Sequence, residues 1–182
     1  MSRARERVVA AALELFAEHG VSGTSLQMIA DRMGVTKAAV YHQFPTKEEI
    51  VLAVIDPVLA ELSSIAEAAA ALRTPAARRR HAIAAAVDLV VRNRRLSRVL
   101  SFDPVVTRLI RQHPAMSPVT DLVDLLTGPA PSPEARVNLV MVAGGLVLAG
   151  AESALADVDD ETLRAQLLEA TTLLLKPRPP RG

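Results

Sequence analysis

The chain has no cysteine and no tryptophan, and only one tyrosine and three phenylalanines among its 182 residues. Without cysteine there is no disulfide framework, no thiolate zinc site and no thiol nucleophile, and a reducing, cytoplasmic setting is the expectation. Aromatics make up 2% of the sequence, and no stretch alternates apolar and polar residues with β-branched enrichment, which argues against strands. No apolar run reaches the roughly 20 residues that span a bilayer. The longest, Leu139 to Ala151, has 13 residues and reads as a buried helix. The N-terminus mixes Arg and Glu into an apolar periodic pattern, unlike a secretory signal, and is expected to stay on the protein.

Ala, Leu, Arg and Glu dominate, so an all-α fold of about nine helices is predicted. The net charge of +1 conceals alternating blocks: +2 over residues 1–47, −5 over 48–72, +7 over 73–98 and −3 over 99–182. Such blocks suit helices with different neighbours better than a uniformly basic coat.

A first helix is expected from Ser2 to His19, with Val8, Val9, Ala12, Leu13 and Phe16 on its inner side and Gly20 as its stop. Ser25 caps a second, Leu26 to Met33, and Gly34 follows it as a residue able to take positive φ. Thr36 caps a third, Lys37 to Phe44, closed by Pro45. Thr46-Lys47-Glu48-Glu49 reads as a capping box opening a long helix to about Leu72. Thr74-Pro75 opens another to about Asn93. Prolines then divide residues 95–133 into short helices and a loop, before helices from about Glu134 to Ala156 and Asp160 to Lys176. Residues 177–182 read as a disordered tail. The domains expected are 1–46 and 47–176.

Two short helices that cross closely need a small residue at the crossing, a glycine in the turn, and apolar residues pinning both to a third helix. Ala30, Gly34, and Ile29, Met33, Val35, Val40 and Phe44 fill those roles, so residues 1–46 are predicted to be a three-helix helix-turn-helix DNA-binding domain. Lys37, Ala38, Ala39, Tyr41, His42 and Gln43 are left largely outward, with the cap Thr36 beside them. Lys37 reaches a guanine edge or phosphate, the alanines admit a thymine methyl, and Tyr41, His42 and Gln43 donate to phosphates. Lys47 adds charge at a helix N-terminus. Singly, some have a plainer explanation, Tyr41 as core and Lys47 as a solvated lysine, while Arg3, Arg5 and Arg7 read as an arm in partial contact with phosphates or else as a frayed basic end.

Arg7 through Phe16, Gly20, Thr24-Ser25, Ile29-Ala30, Gly34-Val35-Thr36, Tyr41, Phe44 and Lys47-Glu48 together resemble the N-terminal signature of the tetracycline-repressor (TetR) family of bacterial transcription regulators. Gln43 departs from it, since His or Tyr is frequent there. The resemblance implies a homodimer through the last two long helices, a C-terminal helical ligand-binding and dimerisation domain enclosing a small-molecule inducer, and no cofactor. It implies base-facing roles near Gln27, Lys37, Ala38 and Ala39, and phosphate contacts from Thr24 or Ser25, Tyr41, His42 and Lys47.

The function expected is a regulator, in the repressing sense, released by inducer from a near-palindromic double-stranded operator through movement of the long helix. The alternative is a C-terminal part serving only dimerisation or protein interaction. Candidate pocket residues are Phe102, Leu109, Met116, Asn138, Met141 and Val142, each equally readable as core. Gly144, Gly145 and Gly150 are expected to permit close helix packing. The arginines from Arg78 to Arg98 read as a solvated face, some pairing with acids of 48–72, rather than a second anion site. His19, His42, His81 and His113 lie too far apart to suggest a metal site, and Asp121 and Asp124 lack a nucleophile, so no enzyme is expected.

Overall fold

A computed structural model describes residues 2–94, 96–97, 103–113, 116–128 and 130–176. Its helices are α1 (Arg3–Gly23), α2 (Leu26–Met33), α3 (Lys37–Gln43), α4 (Lys47–Ala70), α5 (Pro75–Arg92), α6 (Pro104–Gln112), α7 (Met116–Thr127), α8 (Pro133–Ala151) and α9 (Asp160–Leu174), with a 3₁₀ turn at Ser153–Leu155. No strand occurs among the described residues.

The helix starts follow the side chains that cap them. Ser25 accepts from the Met28 amide, Thr36 from Ala39, Thr74 from Ala77, Ser132 from Ala135 and Asp159 from Thr162. At α4 the Thr46 hydroxyl accepts from the Glu49 amide at 3.2 Å. The return contact runs from that hydroxyl to Glu49 Oε1 at 3.5 Å, in place of the backbone bond a full capping box would make.

Two boundaries differ from expectation. Gly20 does break α1, with φ 71° and ψ 165°, a region open almost only to glycine, yet a further turn continues to Gly23. The penultimate helix ends at Ala151 rather than Ala156, because Glu152 turns extended and its carboxylate caps the 3₁₀ turn at the Ala154 amide. Pro57 lies inside α4, where it withholds an amide from the carbonyl one turn earlier and marks a weak point in the longest helix.

One apolar core runs from α1–α3 into α4 and α6. Phe16 and Phe44 are fully buried with Val8, Ile29, Ala30, Val40, Ile50 and Val51, and Val106 of α6 closes the same cluster. Full burial of each large side chain contributes about 1.5–3 kcal/mol. Smaller clusters join α4 with α5 and α7, and α5 with α8 and α9.

Helix α8 is not the buried helix its composition suggested. Val137, Val140, Met141, Val147 and Leu148 are exposed, and Val140 reaches 70%. Apart from Tyr41, all exposed large apolar side chains among the described residues lie on α8 and α9. By length and composition α8 is also long and apolar enough to cross a membrane, with a mean hydropathy of 1.4. A Cβ at Gly144 or Gly145 would meet nothing within 4 Å, so neither serves close packing within the chain, whereas one at Gly150 would meet Ser97 at 3.0 Å.

Candidate nucleic-acid interface

The short helix α3 is held from its inner side. Gly34 takes the left-handed conformation (φ 66°), which lets the Val35 amide return to Ala30 O at 3.0 Å and turns the chain into α3. Ala30, Val40 and Phe44 have no exposed surface. The opposite side of α3 therefore faces outward, and Thr36, Lys37, Ala38, Ala39, Tyr41 and His42 are all exposed. Tyr41, at 53% exposure, is no core residue, and a surface tyrosine beside Lys37 offers a hydroxyl donor to an anionic surface. Gln43 Nε2 lies 3.2 Å from His42 Nδ1.

The other expected contacts are placed less uniformly. Ser25 is exposed but occupied as a cap. Gln27 is exposed on α2 and donates Nε2 to Asp31 Oδ1 at 2.7 Å. Thr24 is 2% exposed and donates its hydroxyl to Gly20 O at 2.8 Å, so this side chain is turned inward, away from any phosphate. Lys47 also departs from both of its expected roles. Its ammonium donates to Val21 O (2.8 Å), Thr24 O (3.0 Å) and Ser22 O (3.4 Å), tying the end of α1 to the start of α4. The carbonyls that end a helix carry partial negative charge, which explains the choice of partner.

Three residues whose partners sequence reasoning missed build this framework. Arg5 lays its guanidinium 4.1 Å over the Phe44 ring and donates to Gln43 O at 3.0 Å, so it is neither frayed nor free. Arg32 bridges from α2 to Glu18 (2.6 Å) and Glu14 (3.2 Å) on α1. The Arg32 hydrogen bond holds the Glu18 carboxyl below its usual value. Asp103 caps α6 with Oδ1 on the Val105 amide at 2.9 Å, while Oδ2 accepts from the Ser22 amide and hydroxyl at 3.3 and 3.4 Å. Arginine with carboxylate at helical spacing signals such pairs only weakly, because the partners are fixed by tertiary folding.

Further contacts fasten α6 to α4: Arg108 to Glu48 at 3.7 Å and His113 to Asp56 at 3.0 Å. The headpiece is thus linked to α6 both directly, through Ser22, and by way of α4.

The described members of the expected pocket set do not converge. Phe102 and the Met116 side chain lie outside the described residues, as do the Asp121 side chain, Arg95, Arg98 and the tail 177–182. Leu109 packs on the N-terminal core, Met141 is 58% exposed, and Val142 is buried with Ile83 and Leu175. Asn138 of the described set lines a cavity. That cavity, about 640 Å³, lies between Arg79 of α5, the end of α7, the start of α8 and the end of α9. Apolar periodicity gives a helix its inner face but not its neighbour, which is why the set scattered.

The arginine block is split in its uses. Arg92 pairs with Glu61 of α4, as charge complementarity suggested. Arg78 Nε donates to Leu72 O at 2.8 Å. Arg94 reaches Val158 O and Asp160 Oδ1, both at 2.9 Å, and also Leu155 O, clamping the turn before α9. No group of three or more His, Asp or Glu able to hold a metal occurs among the described residues.

Residues 8–54 match the sequence profile of the bacterial regulatory proteins of the tetR family. Over 51 residues the chain is 47% identical to the HTH-type transcriptional regulator SrpR of Pseudomonas putida, a stretch covering 28% of this chain and 24% of that protein. It is 36% identical over 59 residues to the HTH-type transcriptional regulator RutR of Escherichia coli, covering 32% and 28%. The aligned region thus spans about a quarter of the length of these curated relatives. Two solved structures share the fold over 96% of this chain. A bacterial regulatory protein in the tetR family from Rhodococcus has a TM-score of 0.73 at 19% identity, covering 96% of this chain and 98% of that one. The fatty acid degradation regulator FadR from Bacillus halodurans has a TM-score of 0.70 at 17% identity, covering 96% of each.

Proposed function

We propose, from the match of residues 8–54 to the tetR family of bacterial regulatory proteins, that the chain is a homodimeric, ligand-responsive transcriptional repressor that reads a near-palindromic operator. The observation that carries this reading is the outward face of α3, where Lys37, Ala38, Ala39, Tyr41 and His42 stand exposed over a fully buried inner face. Lys37 and the two alanines approach base edges in the major groove, with Gln27 of α2 beside them. Tyr41, His42, Ser25 and Thr36 meet phosphates. Lys47 contributes by fixing the frame, and Thr24 likewise.

The exposed stripe on α8 supports dimerisation. Val137, Val140, Met141, Gly144, Val147 and Leu148 recur at the spacing of one helix face, as in a seam against a second helix. Gly144 and Gly145 leave room there for a partner backbone to come close. This explains an apolar, exposed α8 better than a membrane does, because the chain turns through Glu152 into a helix that packs back on α5. Two headpieces joined this way contact successive major grooves about 34 Å apart. Effector binding among α5–α9 shifts α4 and, through α6, the headpiece.

Electrophoretic shift with the DNA upstream of the chain's own gene tests the proposal. A specific complex on an inverted repeat, weakened by Lys37→Ala, is the expected result; equal affinity for unrelated DNA overturns it.

A further inference from the structure

The regulatory reading leaves the effector's chemistry open, and the cavity beside α8 narrows it. Arg79 lines that cavity, and its Nε is buried without a hydrogen-bond partner. Neighbouring arginines are supplied: Arg78 Nε by a carbonyl, Arg92 by Glu61 and Arg94 by three acceptors. A guanidinium does not shed its proton, so a buried donor on it without an acceptor is costly. Lys176 adds a second cation to the lining. Leu126 and Leu174 supply apolar wall, and at about 640 Å³ the space falls in the range of small-molecule sites.

We infer that this cavity binds a small organic carboxylate, with its anionic end on the Arg79 guanidinium and a hydrocarbon part against Leu126 and Leu174. The site lies at the end of α4 remote from the headpiece, as the Arg78 contact to Leu72 shows. A carboxylate accepts from two guanidinium N–H groups together, a paired geometry that neither water nor a carboxamide reproduces at equal strength. A bound anion joins α5, α7, α8 and α9, the four elements that line the cavity. Its role as the effector rests on the function proposed above, whereas the binding itself does not.

Calorimetric titration of the full-length protein with octanoate, and with octanamide as the uncharged counterpart, tests the site. The expected result is one octanoate per chain, with octanamide at least tenfold weaker. Arg79→Met should abolish that preference while leaving weak octanamide binding, and Arg79→Lys should restore part of it. No octanoate binding, equal binding of the two probes by the unaltered protein, or an undiminished preference in Arg79→Met overturns the inference. The comparison on the unaltered protein needs no variant to fold. Operator release is measured separately. Octanoate that binds with the expected preference but leaves operator affinity unchanged upholds the anion site and removes it from the regulatory proposal.

Discussion

Tyr41 and Thr24 lie in the same headpiece with opposite exposures, and their substitutions separate binding from stability. Tyr41→Ala removes a half-exposed side chain and should change stability by no more than about 0.5 kcal/mol, while operator affinity falls, as titration by fluorescence anisotropy would reveal. Thr24→Val removes the hydroxyl that donates to Gly20 O, and should cost about 1 kcal/mol in urea unfolding with operator affinity almost intact. Equal effects of the two on affinity would refute the assignment. The outward residues of α3 were legible because helical spacing separates them from Val40 and Phe44. The fates of Thr24 and Lys47 were not, because each depends on carbonyls freed by the break at Gly20, which composition does not reveal.

At the scale of elements, the turn between α2 and α3 rests on one backbone conformation. A Cβ at Gly34 would meet nothing within 4 Å, so Gly34→Ala carries only the left-handed penalty, about 1–2 kcal/mol, and thermal unfolding should show the loss. Gly34→Asn should lose less. The starts of α2 to α5 were readable, since Ser25, Thr36, Thr46 and Thr74 act through bonds three residues away, whereas the Asp103 and Ser132 caps were not foreseen. Helix ends were less so: Glu152 looks like one more helical residue until its carboxylate caps the following turn. The Arg32 bridge adds a pH dependence. Because Glu18 titrates below its usual value in the fold, the folded chain binds fewer protons there than the unfolded one in the acid range. Its contribution is full at neutral pH and is lost as pH falls through and below the usual carboxylate range. Arg32→Gln should flatten that acid limb in urea midpoints measured against pH.

For the whole molecule, the decisive surface is α8. Val140 is 70% exposed in the single chain, so Val140→Asp leaves the subunit core untouched. Sedimentation should show a folded monomer with lowered operator affinity; a dimer of unchanged strength would exclude α8 from the interface. All-α architecture and helix order were evident from composition and breakers, whereas α8 as an outer face was not, since an apolar helix reads alike whether its partner is its own chain or another. The pocket failed for a related reason: Arg79 acquires its significance from neighbours more than forty positions away in sequence.

The core that runs unbroken from α1 through Ile50, Val51, Val54, Ile55 and Leu59 bears on how such proteins can be recombined. A chimaera joined at Thr46 would strand Phe16 and Phe44 against foreign side chains and part Lys47 from the carbonyls of α1. A junction beyond Leu59, with Val106 and Asp103 carried over to match, transplants the DNA-reading unit together with the surface that steadies it. The portable module is therefore longer than the segment that touches DNA.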